Sequence, residues 1–218
     1  MARRVLAAPS GALLLSVALV GCLADDAPAT GTLPGGAQAS NSQNRRLDPQ
    51  PRPHGTRVPV DLSLVRVDDG DTINIRWKKG DTEVVRILGI DTPETRHLEH
   101  DIPYAQPLGE EAQAFAERTF ADARQVELLR SVTLDPYGRT LGYVFVDDRN
   151  YSVLVVQAHL AIESVSHYGD NGLPEEAAEV LAAAEAAGPV AFEPPHLYRA
   201  RMRELSTYMK EQGTYPEK

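Results

Sequence analysis

Alternating apolar positions predict three consecutive strands in the first half of the folded region. Between residues 58 and 66, apolar side chains recur at every second position, which is the period of a half-buried strand. Turns at residues 68–71 and 79–81 separate this strand from residues 72–77 and then from residues 83–90, which are rich in β-branched side chains. Strands joined in this way by short turns predict the first half of a barrel or a curled sheet.

A helical period follows these strands and then gives way to further strands. Residues 107–123 carry apolar side chains at spacings of three to five, with Glu110 and Glu111 in the first turn, as at the start of a helix. Residues 98–106 are polar and predict a mobile loop. The other predicted elements are strands at 126–134 and 140–146, a short helix through 152–156 and an alanine-rich helix at 174–187. This order predicts an α+β fold, a five-stranded OB-type β-barrel with about three helices.

The N-terminus has the pattern of an export signal. Arg3 and Arg4 precede an apolar run at residues 5–20, which is shorter than the roughly 20 residues of a membrane span. The run ends at Cys22, the only cysteine of the chain, in the pattern of a bacterial lipobox. We therefore interpret Cys22 as a lipidation site and expect a membrane-anchored lipoprotein of the bacterial envelope. The alternatives are a secretory signal cleaved near Ala24, giving a secreted protein, or a buried N-terminal helix.

Composition divides the chain into four segments. The second segment is rich in small and polar residues and buries too little apolar surface to order itself, so it predicts a flexible tether. The last segment begins at a Glu-Pro-Pro sequence and contains a predicted short basic helix at residues 197–208, to which the sequence assigns no role. The four segments are a signal peptide (1–22), the tether (23–56), the folded domain (57–190) and a C-terminal extension (191–218).

The charge of the folded domain is strongly acidic. The whole chain has a net charge of −9, and residues 57–190 hold 12 Lys and Arg against 24 Asp and Glu, a net charge of −12. Proteins that bind nucleic acid usually show a basic surface, so this charge argues against avid duplex binding. It does not exclude an enzyme that contacts phosphate through a bound cation and a few arginines.

Three short motifs place carboxylates and arginines beside turns. They are Asp-Gly-Asp-Thr at 69–72, Arg-Ile-Leu-Gly-Ile-Asp-Thr-Pro-Glu at 86–94 and Asp-Pro-Tyr-Gly-Arg at 135–139. Oxygen ligands of this kind suit calcium, a carboxylate can act as a general base, and guanidinium groups bind phosphate bidentately. Each motif alone is also typical of a plain turn, a helix cap or a surface arginine. Their order and spacing together favour a phosphodiester-cleaving site.

Together these motifs closely resemble the staphylococcal nuclease family, over residues of about 65–187. The resemblance implies an OB-fold, calcium-dependent phosphodiesterase that acts on DNA and RNA and leaves 3′-phosphate ends. Its substrates would be single-stranded or unwound DNA and RNA, and we expect a monomer. By position, the resemblance implies Asp71, Asp91 and the Thr92 carbonyl as calcium ligands, Asp69 as support for the surrounding water, Arg86 and Arg139 on the phosphate, Glu94 on the attacking water and Tyr137 on a nucleotide phosphate.

The chain also departs from the family pattern. The best-known member of the family is basic, and Pro136 stands where that member has a substrate-groove lysine. A family tyrosine that packs against the base falls near Val165, with Tyr168 close by. These departures bear on substrate affinity more than on the reaction. They leave open a second hypothesis, a catalytically silent OB-fold binding module on the cell surface.

Overall fold

One curled sheet dominates the fold in the computed structural model, which describes residues 47–216. The strands are β1 Arg57–Val60, β2 Val65–Val67, β3 Thr72–Lys78, β4 Asp81–Ile87, β5 Ile90–Asp91, β6 Val126–Leu134, β7 Thr140–Val146, β8 Arg149–Asn150 and β9 Ile162–Glu163. The strands of the sheet lie in the order β1-β6-β7-β4-β3-β2, with β8 paired to β7, while β5 and β9 form a separate pair. The pairing of β4 with β7 is parallel, and the other pairings are antiparallel.

The α-helices lie in the second half of the chain, where they alternate with strands before the last three helices. None of the helices in the described part of the chain is long and apolar enough to cross a bilayer. The predicted signal peptide and most of the predicted tether, residues 1–46, lie outside the described residues. The helices are α1 Gly109–Ala121, α2 Tyr151–Gln157, α3 Val165–Tyr168, α4 Pro174–Ala187 and α5 Pro195–Glu211, with 3₁₀ turns at Leu62–Leu64 and Leu98–His100.

The prediction of an α+β fold with a curled sheet is confirmed, and β6, β7 and α4 have the predicted bounds. The single strand expected at residues 58–66 is wrong. The side chain of Asp61 accepts a hydrogen bond from the Ser63 amide at 2.9 Å and caps a 3₁₀ turn there. The turn redirects the chain, so that β1 pairs with β6 and β2 pairs with β3.

Ordered packing begins before the expected domain start at Arg57. Pro49 forms a bridge with Thr133, and the side chain of Gln50 is buried. Gln50 Nε2 donates to Thr140 Oγ1 at 3.1 Å. These residues therefore cover part of the sheet, although their sequence is polar and rich in proline.

Alternation along β3 and β4 decides which side chains face the core. Ile73 and Ile75 on β3 are almost fully buried, as are Val85 and Ile87 on β4. Successive side chains of a strand point to opposite faces. Arg86 therefore lies on the face of β4 opposite to Val85 and Ile87. This face leads to the acidic turns of the candidate site.

A buried ion pair connects β4 with β6. Glu83 and Arg130 side chains are each 3% exposed, and Arg130 donates from Nε to Oε1 at 2.7 Å and from Nη2 to Oε2 at 2.9 Å. Thr140 and Trp77 donate to the same carboxylate at 2.7 and 2.8 Å. Burial raises the pKa of Glu83, but the hydrogen bonds from Arg130, Thr140 and Trp77 outweigh it and hold the pKa below its ordinary value.

We expect Glu83→Gln to destabilise the domain by about 3–5 kcal/mol at neutral pH, because Arg130 is left buried without its counter-charge. Since the folded-state pKa of Glu83 is lowered, the higher free energy of unfolding of the wild type is fully present above the unfolded-state pKa of about 4.3. It is lost as the pH falls through the lower folded-state pKa. Urea unfolding of both proteins between pH 7 and pH 3 measures this difference. A constant difference in the free energy of unfolding across that range contradicts it.

Candidate active site

The first acidic turn is fixed by its own hydrogen bonds and by α2. The Asp71 amide donates to Asp69 Oδ1 at 3.0 Å, which closes the turn. The buried Tyr151 hydroxyl donates to the Gly70 carbonyl at 2.8 Å and ties the turn to α2. A Cβ at Gly70 would lie 2.8 Å from Thr92 Oγ1, so glycine allows the turn to approach the second motif closely.

Asp71 and Thr92 join the two acidic motifs. Asp71 Oδ2 accepts hydrogen bonds from the Thr92 amide at 2.8 Å and from the Thr92 hydroxyl at 3.0 Å. The Ser152 hydroxyl donates to the Leu88 carbonyl at 2.7 Å and fixes the main chain just before β5. Asp91 is 3% exposed and pairs with Ile162 in β9. The two aspartates thus lie in a rigid, largely buried setting.

Arg86 bridges both aspartates. Its position opposite Thr72 in the β3–β4 hairpin brings it beside the acidic turn. Its Nη1 lies 2.5 Å from Asp71 Oδ1, and its Nη2 donates to Asp91 Oδ1 at 3.0 Å and to the Ile90 carbonyl at 3.1 Å. Burial lowers the pKa of Arg86, but Asp71 and Asp91 outweigh it and raise the pKa above its ordinary value. The guanidinium is therefore always charged.

Glu94 is held by the chain segment that follows it. The Glu94 amide donates to Gln106 Oε1 at 3.1 Å, and the Gln106 amide donates to the Glu94 carbonyl at 2.8 Å. A Cβ at Gly109 would lie 2.2 Å from the Glu94 carbonyl oxygen, so the start of α1 touches this main chain. Burial raises the pKa of the Glu94 carboxyl, against the opposing charge of Arg199.

Arg199 of α5 contacts the same cluster of charged residues, and sequence reasoning missed it. Its Nη1 and Nη2 donate to Asp91 Oδ1 and Oδ2 at 3.1 and 3.0 Å, and Nη1 donates to Glu94 Oε1 at 2.5 Å. Arg199 lies 105 residues after Glu94, in the segment that the sequence marks only as a basic helix. Local spacing therefore carries no signal for this contact.

Arg139 and Tyr137 lie on the turn between β6 and β7. Arg139 Nε donates to Asp135 Oδ2 at 2.6 Å, and Asp135 Oδ1 accepts from the amides of Tyr137 and Arg139. The Tyr137 side chain is 83% exposed and lies 5.7 Å from the Arg139 guanidinium carbon. The structure thus joins Asp69, Asp71, Arg86, Asp91, Thr92 and Glu94 in one cluster, whereas Arg139 makes its ion pair with Asp135.

The donor atoms of the cluster suit calcium, although they do not form a ready cage. Within residues 47–216, no group of three or more His, Cys, Asp or Glu side chains is arranged to hold a metal ion. Burial and, to a lesser degree, the neighbouring Asp71 raise the pKa of Asp69 to about 8. Carboxylate, carbonyl and water oxygens are the ligands of calcium. The chemistry of the donors therefore fits, while Arg86 and Arg199 occupy several of the oxygens.

Comparison with known proteins identifies the family. Residues 84–188 match the family described as "Staphylococcal nuclease homologue". The SPbeta prophage-derived endonuclease YokF of Bacillus subtilis is 36% identical over 103 residues, which cover 47% of this chain and 33% of that protein. Thermonuclease of Staphylococcus intermedius is 41% identical over 97 residues, 44% of this chain and 55% of the relative. Endonuclease YncB of Bacillus subtilis is 30% identical over 159 residues, 69% of this chain and 74% of that protein.

The fold and the cluster define an OB-fold protein with a carboxylate–guanidinium site beside its β3–β4 hairpin. The chain belongs to the staphylococcal nuclease family. It spans a third of the length of the first relative and about half of the second. The OB-fold prediction is confirmed by this membership together with the curled sheet.

Proposed function

We propose that the protein is a calcium-dependent nuclease that hydrolyses single-stranded or unwound DNA and RNA and leaves 3′-phosphate ends. The observation that carries this proposal is the convergence of Asp71, Asp91 and Glu94 with Arg86, which the β3–β4 hairpin and the segment after it bring together. Its support is the family membership and the names of relatives described as endonucleases and a thermonuclease.

The roles of the residues follow from their chemistry. Calcium, when held by Asp71, Asp91 and the Thr92 carbonyl, supplies positive charge against the charge that develops on the phosphate oxygens. Asp69 fixes the turn that carries Asp71. Arg86 adds a guanidinium with planar donors for the same phosphate.

Glu94 is the proposed general base. It takes a proton from a water molecule as the water oxygen bonds to phosphorus. The bond between phosphorus and the 5′-oxygen breaks, the 5′-oxygen takes up a proton from solvent and leaves as a 5′-hydroxyl, and the phosphate remains on the 3′-oxygen. Arg199 offsets part of the cost of ionising this largely buried carboxyl, although burial still raises its pKa.

Arg139 and Tyr137 are proposed to contact the substrate from the turn between β6 and β7. Arg139 is a second phosphate-binding guanidinium, and its side chain is 33% exposed beside Asp135. The exposed Tyr137 ring is accessible to a neighbouring nucleotide. Asp135 orients both residues through their amides.

A catalytically silent binding module is the second candidate function. One observation favours it: Arg86 and Arg199 pair with the carboxylates that a nuclease needs free. The acidic domain charge and Pro136 point the same way. Against it, a binding module has no need for a base, two aspartates and paired arginines in one cluster.

Analysis of product ends tests the proposed reaction. A single-stranded DNA oligonucleotide labelled at its 5′ end is incubated with the protein and calcium, and the products are treated with a 3′-phosphatase. We expect shortened products whose mobility changes on phosphatase treatment. Intact oligonucleotide from folded protein supports the binding module, and products with 3′-hydroxyl ends contradict the assigned chemistry.

From the sequence alone, we propose that Cys22 carries lipid and anchors a monomeric enzyme in the bacterial envelope. The apolar run that ends at Cys22 motivates this proposal. Membrane fractionation of Cys22→Ser tests it, since the variant should leave the membrane fraction. A variant that stays with the membrane contradicts lipidation at this residue.

A further inference from the structure

Arg199 lies in the candidate active site but outside residues 84–188, which match the family. Its side chain is 25% exposed, and the Asp91 and Glu94 side chains that it contacts are 5% and 19% exposed. Arginine stays ionised at any physiological pH. A permanent positive charge from the C-terminal helix is therefore placed between a proposed cation ligand and the proposed general base.

The oxygens of Asp91 are largely engaged in this arrangement. Asp91 Oδ1 accepts from both Arg86 and Arg199, and Oδ2 accepts from Arg199. Calcium needs direct access to carboxylate oxygens at about 2.3–2.6 Å. A guanidinium at hydrogen-bond distance fills the same side of the carboxylate and repels a second cation. Arg199 and a calcium ion therefore compete for Asp91.

The helix that carries Arg199 is attached to the segment after Glu94 by a small apolar cluster of its own. Tyr198 and Met202 bury their side chains against Ile102, and this cluster is separate from the main core. Polar contacts add to it: Tyr198 to the Tyr104 carbonyl, Ser206 and Lys210 to Asp101, Gln106 to the Glu193 carbonyl, and Tyr215 to the Leu98 carbonyl. The predicted mobile loop at 98–106 is instead held by α5.

We propose that Arg199 is a tethered counter-cation of the Asp91–Glu94 carboxylate pair, and that calcium displaces it on binding. Docking of α5 then opposes calcium binding, and α5 acts as a strap over the site. The inference rests on the proposed function, because it takes calcium as the cation of this site. It assigns to the C-terminal extension the regulation of cation binding.

Linkage requires that the effect run in both directions. If docking of Arg199 weakens calcium binding, calcium weakens the docking of α5 by the same factor. The small size of the Tyr198–Met202 cluster allows such release, because local opening is easiest where few apolar contacts hold an element. Two measurements without any nucleic acid therefore test the proposal.

The first measurement is calcium affinity by titration calorimetry on the full chain. Arg199→Gln should bind calcium about tenfold more tightly than the wild type, since the competing charge-assisted contact is lost. Arg203→Gln, which removes an equal charge from an exposed position of α5, should leave the affinity unchanged. Arg199→Lys should lie in between, because lysine keeps the charge but not the two-pronged contact.

The second measurement is hydrogen exchange of residues 195–211 with and without calcium, with thermal unfolding as a check that each variant is folded. Calcium should speed exchange in the wild type, and Arg199→Gln should already exchange quickly without it. Unchanged or weaker calcium binding by folded Arg199→Gln overturns the proposal, as does slower exchange of α5 with calcium. An absence of calcium binding by both proteins overturns it together with the metal dependence, whereas tighter binding without hydrolysis overturns only the proposed reaction.

Discussion

Glu94→Gln is expected to lower the rate of phosphodiester hydrolysis by about 10²–10⁴-fold, the usual contribution of a general base. Glutamine keeps the length of the side chain, and its amide oxygen can accept the hydrogen bond from Arg199. It cannot take a proton from water at neutral pH. The loss should therefore fall on the chemical step, while the fold is retained.

Initial rates on a single-stranded DNA oligonucleotide, with thermal unfolding of each protein, measure this effect. Glu110→Gln is the matched control, because Glu110 is an exposed carboxylate in the first turn of α1. The control should cleave at the wild-type rate. A Glu94→Gln variant as fast as the wild type removes Glu94 from the role of base.

Arg86→Lys is expected to have the second large effect, a loss of about 10²–10³-fold in rate. One guanidinium reaches Asp71, Asp91 and the Ile90 carbonyl at once, and its planar donors also match a phosphate. A single ammonium group keeps the charge but cannot make these contacts together. We therefore expect the two acidic turns to lose their common partner.

Arg76→Lys controls for the substitution itself, because Arg76 is an exposed residue of the neighbouring strand β3. The comparison of kcat with KM separates two outcomes for Arg86→Lys. A lower kcat in folded protein agrees with a guanidinium that stabilises the transition state. A raised KM with unchanged kcat would show that Arg86 serves substrate binding alone.

Local sequence was enough to predict how the acidic cluster is built. Asp71 directly precedes β3, and Arg86 and Asp91 lie on or just after β4, which forms a hairpin with β3. Short-range spacing and the antiparallel register therefore bring these side chains together. The core positions could be predicted in the same way, because apolar residues alternate in the strands and recur on the helix faces.

Features that depend on tertiary docking could not be predicted in this way. The C-terminal extension was predicted only to contain a short basic helix, and α5 runs from Pro195 to Glu211 with Arg199 in the cluster. Periodicity shows that a segment is helical but not which surface it meets. Arg139 makes its ion pair with Asp135 of its own turn, and its role on the substrate phosphate stays a prediction.

The break between β1 and β2 has a local cause instead. Apolar side chains recur at every second position from residue 58 to residue 64, so the pattern alone favours one strand. The hydrogen bond from the Ser63 amide to Asp61 competes with strand pairing and turns the chain. A hydrogen bond to one short polar side chain therefore ends a strand that the apolar pattern alone would continue.

Hydrolysis of single-stranded DNA by the wild-type chain, measured with calcium and with a chelator, tests whether the protein is a calcium-dependent nuclease. We expect cleavage that requires calcium, stops with chelator and returns when excess calcium is restored. Cleavage that continues undiminished with chelator contradicts the assignment of Asp71 and Asp91 as cation ligands. An absence of cleavage under both conditions, from protein shown to be folded, contradicts the nuclease and leaves the binding module.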